Sequence, residues 1–399
     1  MKKIISILSA SFMLGTILPT NVFATMNQDV AQPDEQFEVK EGSYKPDEIL
    51  VKFKNDEYRI SNTAEVHSLL GGTQVQQLGN GKSEWQLVKV PKGKAKDFKE
   101  KYANDPSVES AELNLIYTVD YTPNDPSLSQ QWHHQTINSY GAWDTIKGSS
   151  KKIAIIDTGV QLNHPDLQNS LLPGKSFVAG VTSANDDHGH GTHCAGISAA
   201  IGDNGIGISG IDATAKIIPV KVLNKQGSGY TSDIINGVIW ATDNGADVLS
   251  MSLGGGSYQQ SFQDAINYAW NKNKIIVAAA GNSSTSAYSY PAAYNNVVAV
   301  AATNETDGTA YFSNYGTWVD IAAPGTNIYS TYTGSSYKNL NGTSMATPIV
   351  SAVLALTWGK NTAYTNQQVV NRVLSTADQT PDTGTDYLNG RVNVYNAVQ

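Results

Sequence analysis

Lys152-Ile-Ala-Ile-Ile-Asp157 is the stretch that decides the fold of this chain. Its four central residues are all apolar, and three are β-branched, so a strand here has no polar face. A strand of that kind is buried on both sides, as in a parallel sheet covered by helices. The pattern recurs at Lys216-Ile-Ile-Pro-Val-Lys-Val-Leu223, Asp247-Val-Leu-Ser-Met-Ser-Leu253, Lys274-Ile-Ile-Val-Ala-Ala-Ala280 and Val297-Val-Ala-Val-Ala-Ala302. Thr231 to Asn244 and Ser257 to Asn271 lie between these runs with helical periodicity and one polar face, and Gln367 to Ser375 follows later. The alternation predicts an α/β domain over residues 121–399, built on a doubly wound, mostly parallel sheet.

Upstream the chemistry of the chain changes. Residues 121–399 carry 13 Lys/Arg and 18 Asp/Glu, with a single glutamate, Glu305, whereas residues 1–120 carry 14 and 17 in less than half the length. That shift marks a domain boundary, and the absence of a basic excess speaks against nucleic acid as a partner. Residues 1–24 read as a signal peptide: Lys2 and Lys3, an apolar run from Ile4 to Leu18, and a small-residue cleavage site at Val22-Phe-Ala24. The expected destination is extracellular, with no membrane association once the signal is removed. Residues 25–45 are polar and aperiodic, a linker. Residues 46–120 hold two alternating strands, Glu48 to Lys54 and Trp85 to Val90, helices at Thr63 to Leu70 and Ala95 to Tyr102, and a last strand at Val108 to Asn114. This β-α-β-α-β pattern predicts a small α+β unit, either a binding module or a pro-segment. The single cysteine, Cys194, excludes an intramolecular disulfide.

In an open α/β sheet, function gathers where the strands end. Asp157 closes the first run, Asn282 follows Ala280-Gly281, and Gly254-Gly-Gly256 follows Leu253. Asp186-Asp-His-Gly-His-Gly-Thr-His-Cys-Ala-Gly196 concentrates three histidines, a cysteine and two aspartates. It lacks a His-Glu-x-x-His pattern, and a helix from Gly191 puts His190 and Cys194 on one face with His193 offset, a poor zinc set. His193 suits a satisfied buried imidazole, and Cys194 a small buried hydrophobe. Gly205-Ile-Gly-Ile-Ser-Gly210 matches a dinucleotide fingerprint in letters only, because it follows a helix rather than a strand. Asn341-Gly-Thr-Ser344-Met-Ala-Thr-Pro348 delivers a serine to the start of an apolar helix. Such a serine is either an N-cap or a nucleophile with its backbone N–H turned to an oxyanion.

Asp157, His190 and Ser344 occur in the order Asp, His, Ser. Each of their blocks resembles a signature of the subtilases, the subtilisin-like serine proteases, and Ala279-Ala-Gly-Asn282 resembles their oxyanion block. The start Tyr121-Thr-Pro-Asn-Asp-Pro126 is similar to the thermitase branch, and residues 46–115 resemble the inhibitory pro-domain. The resemblance implies a secreted serine endopeptidase made as an autoprocessed zymogen and acting as a monomer. An esterase on the same residues and a non-catalytic peptide binder are the other readings. By the resemblance Ser344 is the nucleophile, His190 the base, Asp157 its orienter and Asn282 the oxyanion donor. Gly227-Ser228-Gly229 and Ser252-Leu253-Gly254 resemble the segments that pair with an extended polypeptide substrate. A pocket between Ser252–Gly255 and Ala279–Gly281 takes the residue before the scissile bond, with an apolar or aromatic preference since no charge lines it. Leu223, Thr231, Ile234 and Leu253 suggest a second apolar pocket, or ordinary core. Structural calcium is implied on Asp125, Asp166 and Asn204, with the carbonyls of Ile201, Ile206 and Ile208; the alternative makes Asp125 and Asp166 turn and cap residues. A second calcium site is not expected, because Ser176 and Val181 stand where acids would be. Processing is expected between Tyr117 and Thr122. The chain departs from the family at Ile349-Val-Ser-Ala352, where His-Val-Ala-Gly is usual.

Overall fold

The computed structural model describes residues 43–54, 59–116 and 121–399. The expected signal peptide and nearly all of the expected linker lie outside them, as does most of the expected processing segment. No helix among the described residues is long and apolar enough to cross a membrane. The chain divides into two compact units, Met1–Tyr117 and Thr118–Gln399.

The first unit runs β1 (Tyr44–Phe53), α1 (Arg59–Leu70), β2 (Thr73–Gln77), β3 (Trp85–Lys89), α2 (Ala95–Ala103) and β4 (Val108–Leu115). The strands form one antiparallel sheet in the order β2-β3-β1-β4. Ile49, Val51, Phe53, Val88 and Tyr102 fill its core. The sequence pattern misses β2, so the order is β-α-β-β-α-β. The reason is that Thr-Gln-Val-Gln-Gln exposes almost every side chain, and its pairing with β3 rests on backbone hydrogen bonds that leave no apolar alternation to read.

The second unit contains α3 (His133–Thr136), α4 (Ser139–Thr145), β5 (Lys152–Asp157), β6 (Lys175–Ser176), α5 (His190–Ala199), β7 (Lys216–Lys221), α6 (Thr231–Asp243) and β8 (Val248–Met251). It continues through α7 (Gln260–Asn271), β9 (Ile275–Ala279), β10 (Val298–Thr303), β11 (Ile321–Pro324), the hairpin β12 (Ile328–Tyr332) and β13 (Ser336–Leu340), α8 (Thr343–Lys360), α9 (Asn366–Ser375) and α10 (Val394–Val398). Seven strands form a parallel sheet in the order β11-β10-β9-β8-β5-β7-β6. Both faces are covered. Ile153 and Ile155 join α5, α8, α9 and α10 in one apolar cluster, while Ala154 and Ile156 join α6 and α7 in the other. That split is the physical meaning of the unbroken apolar run in β5.

The chain leaves β5 to build on one side through β7 and returns to its other side with β8. The order therefore reverses at β5, which opens a crevice beyond its carboxyl end. Asp157 stands at that point. Strands β7, β8 and β9 end one or two residues before their apolar runs do. The surplus residues, Leu223, Ser252 and Leu253 among them, turn out of the sheet to line the crevice.

Candidate active site

Asp157 is fully buried at the end of β5. Its two carboxylate oxygens lie 2.8 and 3.0 Å from His190 Nδ1, and Oδ1 also accepts the Thr158 N–H at 2.7 Å. His190 opens α5, whose first turn presses on the strand end. A Cβ on Gly191 would lie 2.1 Å from the Gly159 carbonyl oxygen and 3.1 Å from Asp157 Cβ, so only glycine permits this approach. Asp186 holds the same helix end, accepting the His188 and Gly189 N–H groups on one oxygen and the Thr192 N–H and hydroxyl on the other. Burial disfavours a charged His190, but the charge and hydrogen bond of Asp157, with the charge of Asp186, outweigh it and raise its pKa above the ordinary value. Nδ1 donates to Asp157, which leaves Nε2 as the basic nitrogen.

Ser344 is the second residue of α8 and does not cap it. The N-cap position is Gly342, and no side chain caps there. The Ser344 hydroxyl donates to the Ser252 carbonyl at 3.2 Å, while Ser252 Oγ donates to the Ser344 carbonyl at 2.8 Å. No hydrogen bond joins Ser344 Oγ to His190 among the described residues. Asn282 approaches from the loop after β9. Its Oδ1 accepts both the N–H and the hydroxyl of Thr343, at 2.9 and 3.0 Å, which turns its amide nitrogen toward Gly342. A Cβ on Gly342, whose φ is +151°, would sit 3.4 Å from Asn282 Nδ2 and 3.5 Å from the Ser344 nitrogen. The Asn282 amide nitrogen and the Ser344 nitrogen thus both border the space beside Gly342.

Beside this space lies a cavity of about 580 Å³, lined by His190, Gly227, Ser228, Gly229, Ser252, Leu253 and Gly254, and also by Leu223, Thr231 and Ile234. Ala279 and Gly281 stand behind it. A Cβ on Gly254 would meet Ser289 Oγ and the Tyr290 carbonyl at 3.4 Å and the Ala279 carbonyl at 3.9 Å, and one on Gly281 would strike the Asn314 amide at 2.4 Å.

A model of the Subtilase family matches residues 148–391, and one of the Fervidolysin N-terminal prodomain matches residues 30–114. The chain belongs to the subtilase family. A thermophilic serine proteinase of Bacillus sp. (strain AK1) is 40% identical over all of this chain and 99% of its own length. Thermitase of Thermoactinomyces vulgaris is 48% identical over 70% of this chain and its whole length. Among solved structures, a protease from Pseudoalteromonas arctica PAMC 21717 superposes with a TM-score of 0.66 at 36% identity, covering 70% of this chain and 99% of the other. This subtilase is a secreted serine endopeptidase of subtilisin type that acts on peptides and is made with a prodomain.

The residues expected to hold calcium also come together in the subtilase. Asp125 and Asp166 are buried, and neither has a basic partner among the described ion pairs. Burial, with the nearby charge of Asp125, pushes Asp166 up to about 6. Asn204 donates to Asp166 Oδ1 at 2.9 Å, and its own N–H reaches Asp125 Oδ1 at 3.3 Å. A separate cluster, Asp157, His190 and Cys194, brings one ligand atom each within 4.8 Å and could chelate a metal ion. Its acid and imidazole are already bonded to each other, and burial raises the Cys194 thiol well above its ordinary value, so it is held as a thiol.

Several groups at the site carry no sequence signal. Tyr290, Tyr294 and Phe262 close the far wall of the cavity, and Ser289 and Asn314 brace its glycines. They come from loops and helix faces that only the fold brings near. His193 Nε2 donates to the Lys338 carbonyl at 2.8 Å, and its Nδ1 meets no hydrogen-bond partner of normal geometry among the described residues.

Proposed function

We propose that the subtilase hydrolyses peptide bonds through an acyl-enzyme on Ser344. The observation that carries this reading is the hydrogen bond of 2.8 Å from His190 Nδ1 to buried Asp157, beside a space flanked by the Asn282 amide and the Ser344 N–H. Ser344 Oγ attacks the carbonyl carbon as His190 Nε2 takes its proton. Asp157 fixes the tautomer and stabilises the imidazolium, which then protonates the leaving amine. Water repeats the sequence on the ester. The negative oxygen that forms in each step is held by the Asn282 and Ser344 donors.

An extended peptide adds as a strand between Gly227–Gly229 and Ser252–Gly254. The side chain before the scissile bond enters the recess beside Gly254, backed by Ala279 and Gly281. With no charged group there, apolar and aromatic residues are preferred. The apolar set Leu223, Thr231, Ile234 and Leu253, joined by Phe262, takes a residue further along the substrate.

Residues 46–120 form the prodomain, which is both intramolecular inhibitor and first substrate, cut between Tyr117 and Thr122 to release 121–399. Residues 1–24 direct export and 25–45 link the two. Asp125, Asp166, Asn204 and the carbonyls of Ile201, Ile206 and Ile208 suit one structural calcium ion, since two buried carboxylates held by N–H and O–H donors but by no basic side chain among the described ion pairs offer hard oxygens to a cation.

The test is casein and peptide p-nitroanilide hydrolysis by the wild type beside Ser344→Ala, with the N-terminal sequence of each product. Loss of both hydrolysis and self-shortening in the variant is expected. Full activity in Ser344→Ala refutes the reading.

A further inference from the structure

Pro348 lies inside α8, four residues after Ser344. In a regular helix the N–H of residue 348 would bond the carbonyl of residue 344, and proline has no N–H to give. The Ser344 carbonyl is met instead from outside the helix, by Ser252 Oγ at 2.8 Å and more distantly by Cys194 Sγ at 3.5 Å. Ser252 is 4% exposed and sits just past the end of β8. Its own carbonyl accepts the Ser344 hydroxyl, so the two serines make a reciprocal pair. The neighbouring carbonyls are also met by side chains: Thr343 by Thr347 Oγ1 at 2.8 Å and Pro348 by Ser198 Oγ at 3.0 Å.

We infer that Ser252 is a positioning residue for the nucleophile, its hydroxyl supplying the hydrogen bond that Pro348 removes from α8. This rests on the reading of Ser344 as nucleophile. At the Ser344 carbonyl the first turn of α8 is thereby tied to the carboxyl end of β8. One two-bond link then sets both the peptide that carries the attacking hydroxyl and the segment that walls the substrate groove.

The test compares Ser252→Ala, Pro348→Ala and the double variant, each corrected for active sites by titration with a serine-directed acylating reagent. Ser252→Ala leaves a half-buried carbonyl without its main donor, and kcat falls about tenfold with KM nearly unchanged. Pro348→Ala alone keeps most of the activity. In the double variant the N–H of the new alanine reaches the Ser344 carbonyl, and most of the lost kcat returns. A role in stability alone would lower Tm or the titratable fraction, and the second substitution would not restore kcat. Unchanged kcat in Ser252→Ala, or a double variant as slow as Ser252→Ala, overturns the inference. Should Ser252→Ala fail to mature, Ser252→Cys, a weaker donor of similar shape, is expected to lose kcat in part, and wild-type kcat there also overturns it. Failure of the nucleophile reading is distinct, because it appears as activity in Ser344→Ala.

Discussion

His134→Gln tests how buried imidazoles set the acid tolerance of the peptidase unit. His133, His134 and His193 are buried; the His133 and His134 rings stand 4.4 Å apart, and His193 acts on His133 through its charge. Burial lowers His134 and His193 to about 4 and takes His133 well below its ordinary value. His134 Nε2 donates to the Ser209 carbonyl at 3.1 Å and Nδ1 faces Ser139 Oγ at 3.0 Å. The folded form of such a group has the depressed pKa, so between pH 6.5 and 4 the unfolded chain binds the extra proton. Its contribution is complete above pH 6.5 and is lost as pH falls through that window. For His134, held at about 4 by burial, the loss by pH 4 is worth roughly 3 kcal/mol. Asp166, Asp212 and Asp320, each pushed up to about 6 by burial, act in the opposite sense, so the total curve is a poor signature. The difference between variant and parent isolates the histidine. Glutamine keeps a donor near Nε2 and cannot titrate. Calorimetry in a Ser344→Ala background avoids self-digestion. The variant's Tm deficit at pH 7.5 should shrink or reverse by pH 4, a relative gain of roughly 5 °C for a unit of this size. Parallel Tm curves for variant and parent would refute the reasoning.

Other expectations follow from single contacts. Gly342→Ala puts a methyl between the Asn282 and Ser344 donors and strains a positive φ, so kcat should collapse while the protein still folds; near-normal turnover would show that the oxyanion lies elsewhere. Asn282→Ala should lose kcat far more than substrate affinity, by about the 10²–10³ that the corresponding asparagine carries in subtilisin. The acid limb of kcat/KM should lie above the ordinary histidine range, because Asp157 and Asp186 raise His190, and Asp186→Asn should move it down; an unmoved limb removes Asp186 from the electrostatics of the site. Adding Ca²⁺ to chelator-treated protein should raise Tm, and Asp166→Asn should abolish the rise; an unchanged Tm would refute the calcium proposal.

Ser344 shows where sequence reading stopped. Its neighbours in the chain allow a cap or a nucleophile, and only the fold excludes the cap by placing Gly342 at that position and turning the hydroxyl to Ser252. The segment Thr73–Gln77 shows the converse, a strand made by backbone pairing with almost no side-chain burial, which leaves nothing periodic in the residues.

The sequence by itself determined the doubly wound sheet, because runs such as Lys152–Asp157 have no polar face and can be satisfied only between two layers of helices. It also singled out Asp157, His190, Asn282 and Ser344 as candidates, because their blocks are local and bear their own turns and glycines. What the tertiary structure decided is everything that depends on distance across the chain. Residues 157 and 190 meet because β5 lies at the reversal of strand order, and Ser252 reaches the carbonyl that Pro348 leaves free because α8 packs against β8. His133, His134 and His193 become an acid-sensitive group only after two separate segments, α3 and α5, are packed away from water. Local pattern fixes which side chains are available, and burial and proximity fix what each of them can do.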